Sequence, residues 1–268
     1  MAVPNTNTFS LWDVCNEIYS NHSAGMNLVQ CFADSTGTFD SAYVGSKNSL
    51  LNFRNYQHTL GLVYDYDGNP YQPIRIGNQI WLNSDFHCTH LNNGFPIPRK
   101  DSIFIGDSSR SNSSDFNNSS FAYTQVWFYG SGYKEPFYYN AGVAANNAFG
   151  SLSITGWHVP TLNDLNILAA NLGGANIAGG HLKYAIATDN HWQSPNTGAD
   201  NSSGFTAQPM GMINNLIWNF YGQNMWCWLS DAPISGVYTA GLLSYNSAAL
   251  NNTSALANYG LIVRLIKD

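Results

Sequence analysis

Charge is what this chain has least of. Only 10% of its residues are charged, against about 25% in an average globular protein. Ten Lys and Arg stand against 16 Asp and Glu, for a net charge of −6. No basic run occurs anywhere, which excludes a phosphate-tracking surface and, with it, nucleic acid as a partner. Hydrolysis of glycosidic bonds needs two facing carboxylates, and the few acids here form no recognisable pair. Cysteine is scarce as well. Cys15, Cys31, Cys88 and Cys227 make no C-x-x-C pair, which removes the zinc and thioredoxin readings. No apolar run approaches the roughly 20 residues of a membrane helix, so no membrane insertion is expected. Met1 to Asn7 lack the basic start and apolar segment of a secretory signal. The expectation is therefore a chain made and assembled in a cytoplasm, with free, buried thiols. A Cys15–Cys31 bridge becomes available if two N-terminal helices pack together. Nothing in the chain implies a cofactor.

What remains is apolar and aromatic. At 44% hydrophobic and 14% aromatic over 268 residues, the chain is globular, with length for one large domain or a large and a small one. Asn, Ser, Thr and Gly replace the missing charges, so the surface is hydrated by neutral groups. Residues 1–56 differ from the rest. Ser10 followed by Asp13 reads as a helix cap, and Leu11, Val14, Cys15, Ile18 and Tyr19 then share one helical face. A turn at Asn21–Gly25 and a second short helix from about Asn27 to Ala33 follow. This segment is too small to bury a strong core alone and is expected to dock on a partner.

From Leu62 the pattern turns to strands. Leu62-Val63-Tyr64, Tyr71 to Ile76 and Gln79 to Leu82 are separated by the turn signals Asp65 to Pro70 and Gly77-Asn78, which predicts two successive hairpins. Residues 99–120 read as a long surface loop, and Tyr138 to Ala148 as a helix. Thr161-Leu162-Asn163-Asp164 caps a further helix carrying Leu162, Leu165, Leu168 and Leu172, which Gly173-Gly174 should stop. Beyond it the pattern reads as strands and turns, with candidates at Phe205–Ala207, Trp226–Trp228, Val237–Thr239 and Leu261–Ile266.

Several motifs carry a resemblance. Asp65-Tyr66-Asp67-Gly68-Asn69-Pro70-Tyr71, Ile76-Gly77-Asn78-Gln79-Ile80-Trp81-Leu82 and Asn93-Gly94-Phe95-Pro96-Ile97-Pro98 are followed by Gly156-Trp157-His158-Val159-Pro160-Thr161. Ala178-Gly179-Gly180-His181-Leu182-Lys183 comes next, then His191 to Ala199, Asn201 to Ala207, Trp228-Leu229-Ser230 and the closing Tyr259 to Asp268. In this order, residues 62–268 resemble the Fibrobacter succinogenes major paralogous domain, a bacterial and phage domain similar to the C-type lectin fold. The stretch 99–150 matches poorly. Thr8 to Val14 and Ser46 to Tyr56 are similar to N-terminal attachment segments of virion proteins in phages of Bacteroidetes-type hosts. The resemblance implies an α+β fold: a C-type-lectin-like domain of antiparallel strands with two helices at 62–268, behind a small, mainly helical attachment segment at 1–56.

The candidate chemistry divides between packing and contact. Trp157 and Trp228 are expected in the core, and His158 as a structural histidine. Asp65, Asp67 and Asn69 look like a calcium loop, but the glycine falls at the fourth place and no Glu stands at the twelfth, so a hairpin turn is the reading. No metal and no catalytic residue is expected. A related fold houses formylglycine-generating enzymes, which need closely placed cysteines; Cys227 between two tryptophans, with Cys88 far off in sequence, reads instead as inert. The segment Trp218 to Tyr259 is rich in Tyr, Trp and Asn, a composition suited to recognising glycan or protein. Its candidate ligand residues are Trp218, Tyr221, Asn224, Tyr238, Tyr245, Asn246, Asn251 and Asn252. In diversity-generating relatives of this fold the comparable region carries the variable binding face. The expected function is a non-enzymatic phage virion structural protein: a tail fibre, spike or adhesin, displaying the lectin-like domain for receptor binding at a host-surface glycan or protein. It would be a homo-oligomer, a homotrimer by expectation, held to other virion proteins through residues 1–56. The rival readings are a bacterial cell-surface binding module of the same fold and a cysteine-dependent enzyme related to formylglycine-generating enzymes.

Overall fold

The Asp13 carboxylate accepts from the Ser10 N–H at 2.6 Å, while the Ser10 hydroxyl oxygen accepts from the Asp13 N–H. This reciprocal cap satisfies donors a helix start leaves open, and hydrogen bonding by the Ser10 backbone and hydroxyl holds the Asp13 carboxyl below its ordinary pKa. Helix α1 runs Leu11–Ile18 and buries Val14, Cys15 and Ile18. Helix α2, Leu28–Asp34, starts at Asn27, whose side chain accepts from the Gln30 N–H. A 3₁₀ turn follows at Leu50–Phe53. Phe32 stacks on Phe53 at 4.3 Å, and Phe39 lies 4.5 Å from the Tyr56 ring. Together with Val3, Phe9 and both cysteines these rings form a core of their own; the sequence expectation undervalued them because it counted only helix faces.

In the computed structural model the described residues are 3–4, 6–19, 27–35, 39–54, 56, 60–105, 121–128, 137–145, 149–185, 191–214 and 217–268. The turn expected at Asn21–Gly25 therefore lies outside them. The chain divides into two compact units, Met1–Gly61 and Leu62–Asp268.

The second unit is α+β with mostly antiparallel strands. Strands β1 (Val63–Tyr64) and β2 (Pro70–Tyr71) form one hairpin, and β3 (Pro73–Ile76) and β4 (Gln79–Leu82) a second. Strand β5 (Arg99–Ile105) pairs parallel with β6 (Tyr123–Phe128), which pairs antiparallel with β7 (Phe137–Tyr139). After the short helix α3 (Ala141–Ala144) come β8 (Trp157–His158), α4 (Leu162–Asn171) and α5 (Ala175–Leu182). A hairpin of β9 (Met212–Asn214) and β10 (Ile217–Asn219) precedes the meander β11 (Asn224–Trp228), β12 (Val237–Ser244) and β13 (Asn251–Leu256). The last strand, β14 (Ile266–Lys267), lies between β4 and β8 in a sheet ordered β3-β4-β14-β8. The core gathers Trp81, Leu165, Leu168, Leu182, Trp192, Phe205 and Ile262.

Several expectations need correction. Residues 99–105 are a strand, since the ladder to β6 outweighs the polar Lys100-Asp101-Ser102 start; the remainder of the expected loop, 106–120, lies outside the described residues. The helix expected over 138–148 is only α3, because Tyr138 and Tyr139 continue a strand; residues 146–148 are not described. The domain thus has three helices among its described residues where two were expected. The unforeseen one, α5, contains Gly179 and Gly180, which argue against a helix on propensity. Their hydrogens are required by close approach: a Cβ there would stand 2.3 Å from the Ala249 and Gly198 carbonyl oxygens respectively. Phe205–Ala207 is not a strand either. Thr206 takes a left-handed φ of 59°, and Ala207 forms only an isolated bridge to Lys183.

Trp157 and Trp228 are buried, and Trp228 Nε1 donates to the Tyr139 carbonyl at 2.7 Å. His158 sits between the carboxylates of Asp268 (2.6 Å) and Asp164 (3.2 Å). Asp164 also caps α4 through Thr161. Burial alone would raise the Asp164 carboxyl, but Thr161 and His158 together hold it below its ordinary range.

Arg264 fixes the middle of this unit. It is 1% exposed, and its guanidinium donates to Asp85 (2.6 Å) and to the carbonyls of Phe205 (2.7 Å), Leu82 (3.3 Å) and Thr206 (3.3 Å). Replacing Arg264 by Met leaves the largely buried Asp85 carboxylate without its cation, and urea denaturation should record a loss of about 3–5 kcal/mol. A lysine there cannot reproduce the planar fork and should recover only part of the loss. In the first unit, Cys15 and Cys31 are free and buried, with sulfurs 3.6 Å apart. Oxidised glutathione should join them, which peptide mass mapping would detect, and stabilise residues 1–61 by about 3 kcal/mol, an effect absent in C15S.

Candidate ligand-binding rim

Lys183 follows α5 as its C-cap and has no exposed surface. Its ammonium donates to the carbonyls of Thr197 (2.9 Å), Ser247 (2.9 Å) and Ser244 (3.1 Å). Burial pushes its pKa down to about 8, while three carbonyl acceptors favour the charged form. One amine thus pins two segments, 191–199 and 244–248. Backbone hydrogen bonds add a third, 220–224. The Thr197 N–H donates to the Tyr245 carbonyl (2.8 Å), the Tyr245 N–H to Gln223 (2.8 Å) and the Gln193 N–H to Gly222 (2.7 Å). Asn196, at φ 45°, donates its amide to the Tyr184 carbonyl at 3.2 Å. The three segments form one stitched rim.

Aromatic rings crown it. Trp218 packs on Tyr221 with centroids 4.1 Å apart, and its Nε1 is committed to the Met210 carbonyl (2.7 Å) and the Tyr138 hydroxyl (2.9 Å). Phe220 stacks near Trp226 at 6.4 Å. Phe220 holds a left-handed φ of 60° and is nonetheless 47% exposed. Its carbonyl accepts from the N–H groups of Gln223 and Asn224, both at 3.0 Å. Behind it, a Cβ on Gly211 would lie 2.1 Å from the Asn219 carbonyl, so the hairpin end is clamped from both sides. Trp226 Nε1, Asn196 Oδ1 and Gln208 Oε1 are buried polar atoms that find no partner among the described residues.

The eight sequence candidates do not form one site. Asn224 pairs with Ser244 across β11 and β12, next to Tyr245 and the exposed Asn246, and Tyr221 joins them through the 220–224 segment. Trp218 supports Tyr221, its own polar atom being spent. Asn251 pairs with Leu242, which faces Trp226 across β11, and so extends the same row. Asn252, one residue on, points to the opposite face, because side chains alternate along a strand. Tyr238 lies at the far end of β12, about 20 Å from Ser244 at strand rise, and packs edge-on against Trp228 at 6.0 Å. Gln193, Asn196, Phe220 and Lys183 belong to the rim and were missed as site residues. The Asn219-Phe220-Tyr221-Gly222 turn was the one local signal; the other three depend on distant partners.

The remaining chemical groups are closed. Asp65, Asp67 and Cys88 have ligand atoms within 4.8 Å of one another, the metal-compatible group among the described residues. The Asp65 carboxylate accepts from Asn69 N–H (2.9 Å), the Asn69 amide (2.8 Å) and the Tyr71 hydroxyl (2.7 Å). Asp67 accepts from the Thr89 N–H and hydroxyl, with His90 Nδ1 against its other oxygen. These carboxylates close the β1–β2 turn and tie it to residues 88–90. Burial pushes the Cys88 thiol up to about 12 and the Cys227 thiol to about 11, the latter despite Arg264 nearby.

Residues 74–267 match the Fibrobacter succinogenes major domain. The chain belongs to that family. The match runs from β3 to β14 and takes in the whole rim and the Arg264 cluster. No curated protein and no solved structure is significantly similar to the chain. In this Fibrobacter succinogenes major domain the segment Ala178 to Lys183 thus does two jobs: its glycines admit neighbouring backbone, and its lysine holds the rim. Replacing Lys183 by Met leaves three carbonyls without their donor. It should cost about 3 kcal/mol and speed hydrogen exchange at the Thr197 and Tyr245 amides.

Proposed function

We propose that the chain is a phage virion structural protein, a fibre, spike or adhesin whose second unit is a C-type-lectin-like domain presenting the rim for host-surface or glycan attachment. The observation that carries this reading is the rim itself. It sets exposed aromatic rings beside neutral amides on segments pinned by a buried lysine, a preorganised surface suited to recognition. The high thiol pKa values at Cys88 and Cys227 support a non-enzymatic role, since the thiolate is the nucleophile. The α+β layout, with β3, β4 and β14 in one sheet, supports the lectin-like assignment.

The first unit is the attachment segment of this proposal. Trp12 is 62% and Val29 78% exposed, apolar surface that other virion proteins can cover. A homotrimer would multiply a weak rim contact, since linked sites gain avidity without new contacts. Antibody against the full chain should decorate purified particles in immunogold electron microscopy. Soluble full chain added in excess should reduce particle adsorption to host cells on the order of tenfold. Bare particles beside a labelled bacterial surface would replace this reading with that of a cell-surface binding module.

A further inference from the structure

We propose that the rim takes an uncharged glycan, held by stacking on Phe220 and Tyr221 and by amide hydrogen bonds, with no cation bridge and no ionic contact. This rests on the attachment reading above and names its ligand class.

Two independent observations carry it. The first is the absence of charge. Between Phe205 and Val263 the sequence has a single ionisable acid, Asp231, and no Lys, Arg or Glu. The rim segments 191–199, 217–224 and 244–252 contain no Lys or Arg, and their one titratable group besides tyrosine is His191. Lys183 lies beneath the rim, but its ammonium is enclosed by three carbonyls. A sulfated or carboxylated glycan would lose water from its anionic groups and find no accessible cation in return among the described rim residues, an unfavourable exchange. A neutral sugar presents C–H faces to stack on a ring and hydroxyls that an amide can pair as both donor and acceptor. Gln193 and Asn246 are exposed beside Tyr221 and Tyr245.

The second is strain at Phe220. A residue with a Cβ is disfavoured at φ 60°, and strained, exposed positions concentrate at functional sites. Glycine would serve this turn better for folding alone. The ring is nonetheless 47% exposed, which leaves its open side for a ligand to stack on. Exposed rings beside neutral amides suit the C–H faces and hydroxyls of a sugar.

The test uses the full chain on immobilised polysaccharides, neutral (dextran, mannan, laminarin, xyloglucan) and acidic (alginate, heparin, polysialic acid). Binding is read by biolayer interferometry at about 0.05 and 0.5 M salt, with and without EDTA. Binding to a neutral polysaccharide is expected, altered less than about twofold by salt, which screens only ionic contacts, and equally insensitive to EDTA. F220G should melt no lower than the parent, its φ now relaxed, yet lose affinity at least about tenfold, as removal of a central aromatic contact does. F220A, which keeps the strain, and Y221A should lose affinity comparably. Salt-sensitive binding to the acidic set, or full affinity in F220G, overturns the proposal. Silence on every polysaccharide, with protease-sensitive binding to host cells, overturns the glycan and leaves attachment standing. Silence on both, with unlabelled particles, removes the attachment reading as well.

Discussion

A guanidinium with 1% exposure cannot be left unpaired, because an ion without partners is far too costly inside a protein. Arg264 therefore dictates where its partners stand. Asp85 and the Leu82 carbonyl arrive from the end of β4, and the Phe205 and Thr206 carbonyls from the other side. Phe205 also lays its ring 4.5 Å from the charge. Thr206 pays in conformation, at φ 59°, and its carbonyl completes the set. With those segments fixed, β14 is held between β4 and β8, and the residues just before Arg264 are aligned to bridge Cys227 and Tyr139.

Lys183 repeats this logic nearer the surface. Its three carbonyl acceptors come from two segments far apart in sequence, and the backbone bonds among Gln193, Gly222, Gln223, Tyr245 and Thr197 complete the frame. The chain has ten cationic side chains, and these two are spent inside. The consequence reaches function: the surface that Lys183 ties together carries almost no charge of its own among the described residues. Recognition there depends on ring faces and amides, not on fields that steer ions.

Local order was largely legible in the sequence. The Ser10/Asp13 and Thr161/Asp164 caps, the paired hairpins from Val63 to Leu82 and the stop at Gly173-Gly174 each depend on neighbours within a few residues, and such contacts leave a pattern. The errors fell where distant partners override propensity. Gly179 and Gly180 sit in a helix because Ala249 and Gly198 press against them. Residues 99–105 pair as a strand because β6 is there to receive them. At the candidate site, composition found the aromatic and amide residues but not their grouping. Tyr238 and Asn252 looked equivalent to Tyr245 and Asn251 until strand direction and alternation separated them.

The sequence by itself determined the family, the division of turns and caps, and the scarcity of charge, since motif order and residue type are properties of the chain. Which side chains share a face, and which charges are hidden, was decided only by tertiary structure. Burial and cross-strand register arise from contacts between residues tens or hundreds of positions apart. His158 meeting Asp268, and Arg264 meeting Asp85, are pairings that exist only once the chain has closed on itself.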